Sequence, residues 1–129
     1  MIYTYFSYGK IDITMVINGI LAGLVAITAG CNVVDPLSAI IIGLFAGVLV
    51  DLGVIYIDKL KIDDPVGAIA VHGINGIFGT IAVGLFASKG GLFFGGGVSL
   101  LVTQCVGVLT IAIFSFVVTF IIMKLLKNT

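Results

Sequence analysis

The segment from about Val98 to about Leu126 is apolar almost throughout. As a helix rising about 1.5 Å per residue it would exceed the ~30 Å hydrocarbon core of a bilayer. A chain of 129 residues has nowhere in a soluble fold to hide such an element. Small folds bury only about 60–70% of their surface. Three further apolar runs precede it, over residues 13–30, 36–57 and 65–87, the first of them short for a span. Each is much longer than the ~10 residues of an alternating barrel strand, so helices are expected. Composition agrees: 60% of residues are hydrophobic and 9% charged, against roughly 45–50% and about 25% in soluble domains. The expected fold is all-α, a polytopic membrane bundle of four transmembrane helices.

The charges are few and informative. Six lysines balance six aspartates, with no arginine and no glutamate. No basic stripe is available for phosphate neutralisation, which argues against nucleic-acid binding. The opening MIYTYFSYGKID has neither the basic region nor the cleavage site of a signal peptide. With four spans both termini share one side, and that side carries Lys10, Lys59, Lys61, Lys124 and Lys127. Only Lys89 lies opposite, so the positive-inside tendency places both termini in the cytoplasm.

Three loops join the spans: AGCNVVD, DKLKIDD and the glycine-rich SKGGLFFGGG. Pro36 and Pro65 suit a first helical turn, where no N–H is needed, and Asp35 and Asp64 precede them as natural N-caps. Gly19 and Gly23, Gly43 and Gly47, and the series Gly73, Gly76, Gly79 lie at helical spacing. They predict close backbone approach between helices. Cys31 and Cys105 have no CxxC spacing and are expected to be packing residues.

His72 is the single histidine and falls inside the third apolar run, about 10 Å along a helix that begins at Pro65. An ionisable group at that depth points to function, although a neutral imidazole making one interhelical hydrogen bond is an equal reading. With one donor and one acceptor it can line a path for a small polar solute without presenting charge. A metal site is not expected, since no second histidine and no glutamate accompany it. Asn18, Asn75 and Thr28 are pathway contacts or interhelical packing groups. Thr103 and Gln104, near the start of the last span, suit lumen or packing equally. Asp51 either joins a proton route or snorkels to the interface and pairs with Lys59. Asp63 and Asp64 can draw cations to a mouth, and for Asp64 capping the positive helix end is favoured. No nucleophile stands beside a base, and the glycines near Gly95 lack a phosphate-loop frame, so neither an enzyme nor a cofactor is expected.

Two strings carry a resemblance. NGILAGLVAITAGC (Asn18 to Cys31) and KIDDPVGAIAVHGINGIFGTIAVGLFA (Lys61 to Ala87) closely resemble the ammonium transporter family, Amt/Mep/Rh, in its Amt branch. That resemblance implies a fold of eleven spans, built from two inverted five-helix repeats and a long last helix. It further implies trimers with one pore per subunit. The spans here would be the last four, a C-terminal segment whose lysine-rich side faces the cytoplasm of a plasma-membrane protein. His72 would match the second of two pore histidines, and Asp64 the acidic residue that opens its span. The other histidine, the phenylalanine gate and the recruitment site of earlier spans have no counterpart here. Neither does the tail tied to P-II signalling proteins. The expected substrate is ammonium or ammonia, with an incomplete pathway in this chain alone. The alternative is a truncated, non-conducting membrane interaction module or a decayed gene product.

Overall fold

A computed structural model describes residues 4–6 and 9–127. Among the described residues, after a helical stretch at 4–6, four longer α-helices follow one another: α1 (Ile13–Thr28), α2 (Pro36–Lys59), α3 (Asn75–Phe86) and α4 (Ser99–Lys127). A π-helical turn, Ile69–Ile74, runs directly into α3, and a short 3₁₀ turn, Leu92–Phe94, precedes α4. Among the described residues the one strand-like feature is an isolated bridge between Val34 and Ala87. Three helical stretches, Pro36–Lys59, Ile69–Phe86 and Ser99–Lys127, are long and apolar enough to cross a membrane. The fourth, α1, is apolar but has 16 residues, or about 24 Å of helix.

The first two helices begin where the sequence supplies a cap. Asp12 Oδ1 accepts from the amides of Thr14 and Met15 at 2.9 and 3.2 Å, which starts α1. Asp35 starts α2, with Pro36 in the first turn. Its Oδ1 accepts from the Leu37 and Ser38 amides at 3.0 and 3.1 Å, and its Oδ2 from the Ser38 hydroxyl at 2.6 Å. These bonds to the ionised form hold the Asp35 carboxyl below the usual carboxylate range, the Ser38 hydroxyl contributing most. At its other end α2 closes with crossed hydrogen bonds, Ile62 N–H to Ile57 O and Lys61 N–H to Asp58 O. This is a Schellman arrangement, and Lys61 takes the left-handed position at φ 57° that glycine usually fills.

The third helix departs from expectation. Pro65 and Val66 lie in a turn closed by a 3.0 Å bond from Gly67 N–H to Asp64 O, and the π-turn starts only at Ile69. His72 therefore stands near the start of its helix. Asp64 still caps, but at a distance: its Oδ2 accepts from the Ile69 amide at 2.9 Å.

The core is a three-element wedge. One stripe of α1 (Asn18, Ala22, Ala26) and one of α2 (Ile42, Ala46, Val50, Ile57) bury themselves against Ala70, Val71 and Ala82. α4 packs chiefly on α3 and has no buried residue. The outward faces remain apolar, with Leu44, Phe45, Phe114 and Phe116 all exposed, as suits a lipid surface.

Of the small-residue series that the spacing singled out, the close approach falls in the third and not in the first two pairs. A methyl group added at Gly19, Gly23, Gly43 or Gly47 would meet nothing within 4 Å. Close approach occurs at Gly79, where an added Cβ would stand 2.3 Å from the Ala26 carbonyl oxygen. Nor do the cysteines fill the core, since Cys31 is exposed and Cys105 half-buried.

Candidate functional site

Asn18, the π-turn and α4 converge on His72. The imidazole is exposed and borders two grooves. One, of about 350 Å³, runs between α1 and the π-turn and is lined by Thr14, Ile17, Asn18, Leu21, Pro65, Val66, Ala68 and Val71. The other, of about 390 Å³, lies between α3 and α4, where Thr80, Gln104 and Ser115 add polar groups to an apolar wall. His72 lines both. Gly73 and Gly76 line the second groove too, and their lack of side chains keeps it open beside the ring.

The turn before His72 is shaped by Asn18. Gly67 adopts φ +70°, and a Cβ there would stand 2.6 Å from Asn18 Nδ2. A side chain at this position would be strained by the backbone angle and blocked by the amide. Asn18 is thereby buried at the floor of the α1 groove, 6% exposed.

Asn75 is fully buried where the π-turn becomes α3. Its Nδ2 donates to the Ala70 carbonyl at 3.0 Å, and its backbone N–H points to the same carbonyl and to that of His72. Its Oδ1 has no hydrogen-bond partner. The π-turn itself was not legible in the sequence: an asparagine among glycines is equally at home in a plain helix.

The remaining candidates separate. Thr28 is exposed and donates its hydroxyl to Leu24 O at 2.6 Å, away from both grooves. Asp63 is exposed and Asp64 half-buried in the turn below the π-helix. Thr103, exposed on α4, donates to Ser99 O within its own helix, whereas Gln104 faces the groove beside His72. Asp51 does not snorkel. It is 4% exposed within α2, and its Oδ1 has no hydrogen-bond partner. Burial follows from its place beside Val50 and Gly53 on the face that meets the π-turn.

Comparison with known proteins settles the lineage. Residues 1–129 match the profile of the Ammonium Transporter Family from end to end. The chain belongs to the ammonium transporter family. Ammonium transporter Amt2 of Archaeoglobus fulgidus is 48% identical over 67% of this chain and 19% of its own length. An ammonium transporter of Mycobacterium tuberculosis is 38% identical over 94% of this chain and 28% of its own. A solved sensor Amt protein superposes with a TM-score of 0.91 at 41% identity, over 99% of this chain and 32% of that one. The ammonium transporter chain thus spans less than a third of each of these proteins, and its helices form a fragment of a multi-pass membrane fold.

Proposed function

We propose that this chain supplies one wall of a transmembrane pathway for ammonium or ammonia, with His72 as the group that meets the solute. The observation that carries the reading is the place of His72, the residue common to both grooves, on a chain of this family. The physics favours an uncharged passenger. A dry, apolar lumen strips water from a cation at large cost, whereas neutral ammonia can pass by exchanging hydrogen bonds with an imidazole. A neutral ring offers one acceptor to an N–H and one donor to a nitrogen lone pair, and it returns unchanged after each transit. No covalent step or cofactor belongs to this reading.

We further place the four helices as spans eight to eleven of an eleven-span subunit, the C-terminal segment of the fold. The five lysines Lys10, Lys59, Lys61, Lys124 and Lys127 support a cytoplasmic location for both ends of the segment in the plasma membrane. In this reading Asp64 fixes the cytoplasmic mouth by capping the turn below His72. Asn18 and Asn75 shape the wall, and Thr28 lies at its outer end. Assembly as a homotrimer and docking of a P-II protein belong to the whole subunit.

The test joins this chain to the seven preceding spans of a family member, in cells lacking other ammonium transporters. His72→Ala is expected to lower methylammonium uptake or relax its selectivity. Unchanged uptake and selectivity would remove His72 from the pathway.

A further inference from the structure

The π-turn places an extra residue in one helical turn, and π-turns of this kind gather at functional sites. Where it gives way to α3, one of its carbonyls is bonded twice. Ala70 O faces two donors from the same residue, the backbone N–H of Asn75 and its side-chain Nδ2. Ala70 and Val71 are pinned on the buried side, at 0% and 2% exposure, and α2 presses Gly53 against Ala70 and Ile74. With that side fixed, the residues on the open side are His72 and Gly73, both exposed. An ordinary helix would instead bond Ala70 O to the amide of Ile74. Removing the extra residue from the turn would rotate what precedes it by about 100° and shift it by about 1.5 Å relative to α3. His72 would leave the seam between the two grooves.

We propose that Asn75 is a positioning residue: its side-chain amide, by doubling the hydrogen bond at Ala70 O, holds the π register that presents His72 to both grooves. The importance of that presentation rests on the pathway reading above, while the positioning itself does not. Asn75 has no route to the solute of its own, being fully buried. Its Oδ1 lacks a partner, so the amide is retained at a cost that an apolar residue of similar size would avoid.

That cost makes the test decisive. Because His72 is the single histidine, a chain labelled with ¹⁵N-histidine gives one imidazole spin system, observable in detergent micelles. Asn75→Leu is expected to keep the helix content and thermal stability of the chain. It should nevertheless shift both imidazole nitrogen signals and break the ring's cross-peaks to α1 and α4 side chains. Thr28→Val, which removes a hydroxyl bonded within its own helix, should leave those signals in place. A folded Asn75→Leu chain with an unmoved ring would overturn the proposal. Should that variant fail to fold, Asn75→Asp keeps the shape without the amide donor, and the same two outcomes apply to it.

In the joined transporter, Asn75→Leu is expected to lower methylammonium uptake about fivefold, the factor carried by one hydrogen bond of about 1 kcal/mol. If the ring moves but His72→Ala leaves transport intact, the pathway reading fails and the positioning stands. If His72→Ala abolishes transport but the ring does not move in the Asn75 variants, the positioning fails alone.

Discussion

The Asp64 carboxylate accepts a hydrogen bond from the Ile69 amide, five positions further along, at 2.9 Å. This contact spans the turn that carries Pro65, Val66 and Gly67 and ties it to the first amide of the π-helix. An ordinary N-cap reaches two or three residues; this one holds a whole loop. Asp64→Ala is therefore expected to destabilise the chain by about 1 kcal/mol, within the range of lost helix caps. Asp64→Asn, which retains an acceptor, should recover most of it. Thermal unfolding of the two variants in one detergent, followed by helix signal, checks this, and equal losses from both would count against capping.

Gly79 is the tightest glycine contact in the wedge, where an added Cβ would overlap the Ala26 carbonyl oxygen. Gly79→Ala should force α1 and α3 apart and cost about 1–3 kcal/mol, as overpacking does. Gly23→Ala, whose methyl would meet nothing within 4 Å, is expected to stabilise its helix by up to about 1 kcal/mol. Denaturant titration of the isolated chain compares the two. Equal effects would show that helix propensity, not contact, governs both.

Lys61 occupies a left-handed backbone position at φ 57°. A side chain there crowds the following carbonyl, by about 1–2 kcal/mol for residues other than glycine. Lys61→Gly removes that crowding and keeps the crossed bonds to Asp58 and Ile57, so a rise of about 1 kcal/mol in stability is expected. A melting temperature that falls instead would mean that the lysine side chain is held by a contact worth more than the strain.

Asp35 gives a pH signature. Its carboxyl is held below the ordinary value of 3.8, chiefly by the Ser38 hydroxyl and then by the Ser38 amide. A depressed folded-state value means that the cap contributes stability above about 3.8 and loses it as the pH falls through the folded value. Ser38→Ala should move the Asp35 midpoint back up towards 3.8, so that the same loss begins at higher pH. Carboxyl ¹³C titration of the two chains reads this directly, and coincident midpoints would exclude the hydroxyl as the cause.

Much of the architecture is legible in the sequence. Apolar run length, Asp35 and Pro36 mark where α1 and α2 begin, because caps and hydrophobic periods are local properties. The DDP string misled by four residues: Pro65 is acceptable in a first helical turn and equally so in the turn that in fact precedes the π-helix. The GxxxG pairs misled differently, since spacing shows that glycines share a helix face but not which face meets a neighbour.

What the sequence determined by itself was the solvent and the lineage: apolar runs too long for a soluble core, and two ordered strings shared with ammonium transporters. What only the tertiary structure decided was how His72 is held. The amide of Asn75 and the carbonyl of Ala70, the hollow left by Gly67 for Asn18, and the burial of Asp51 all depend on which faces of α1, α2 and α3 come together. Helix formation is set within a few residues along the chain, whereas the register of one turn is fixed by the packing pressed against it.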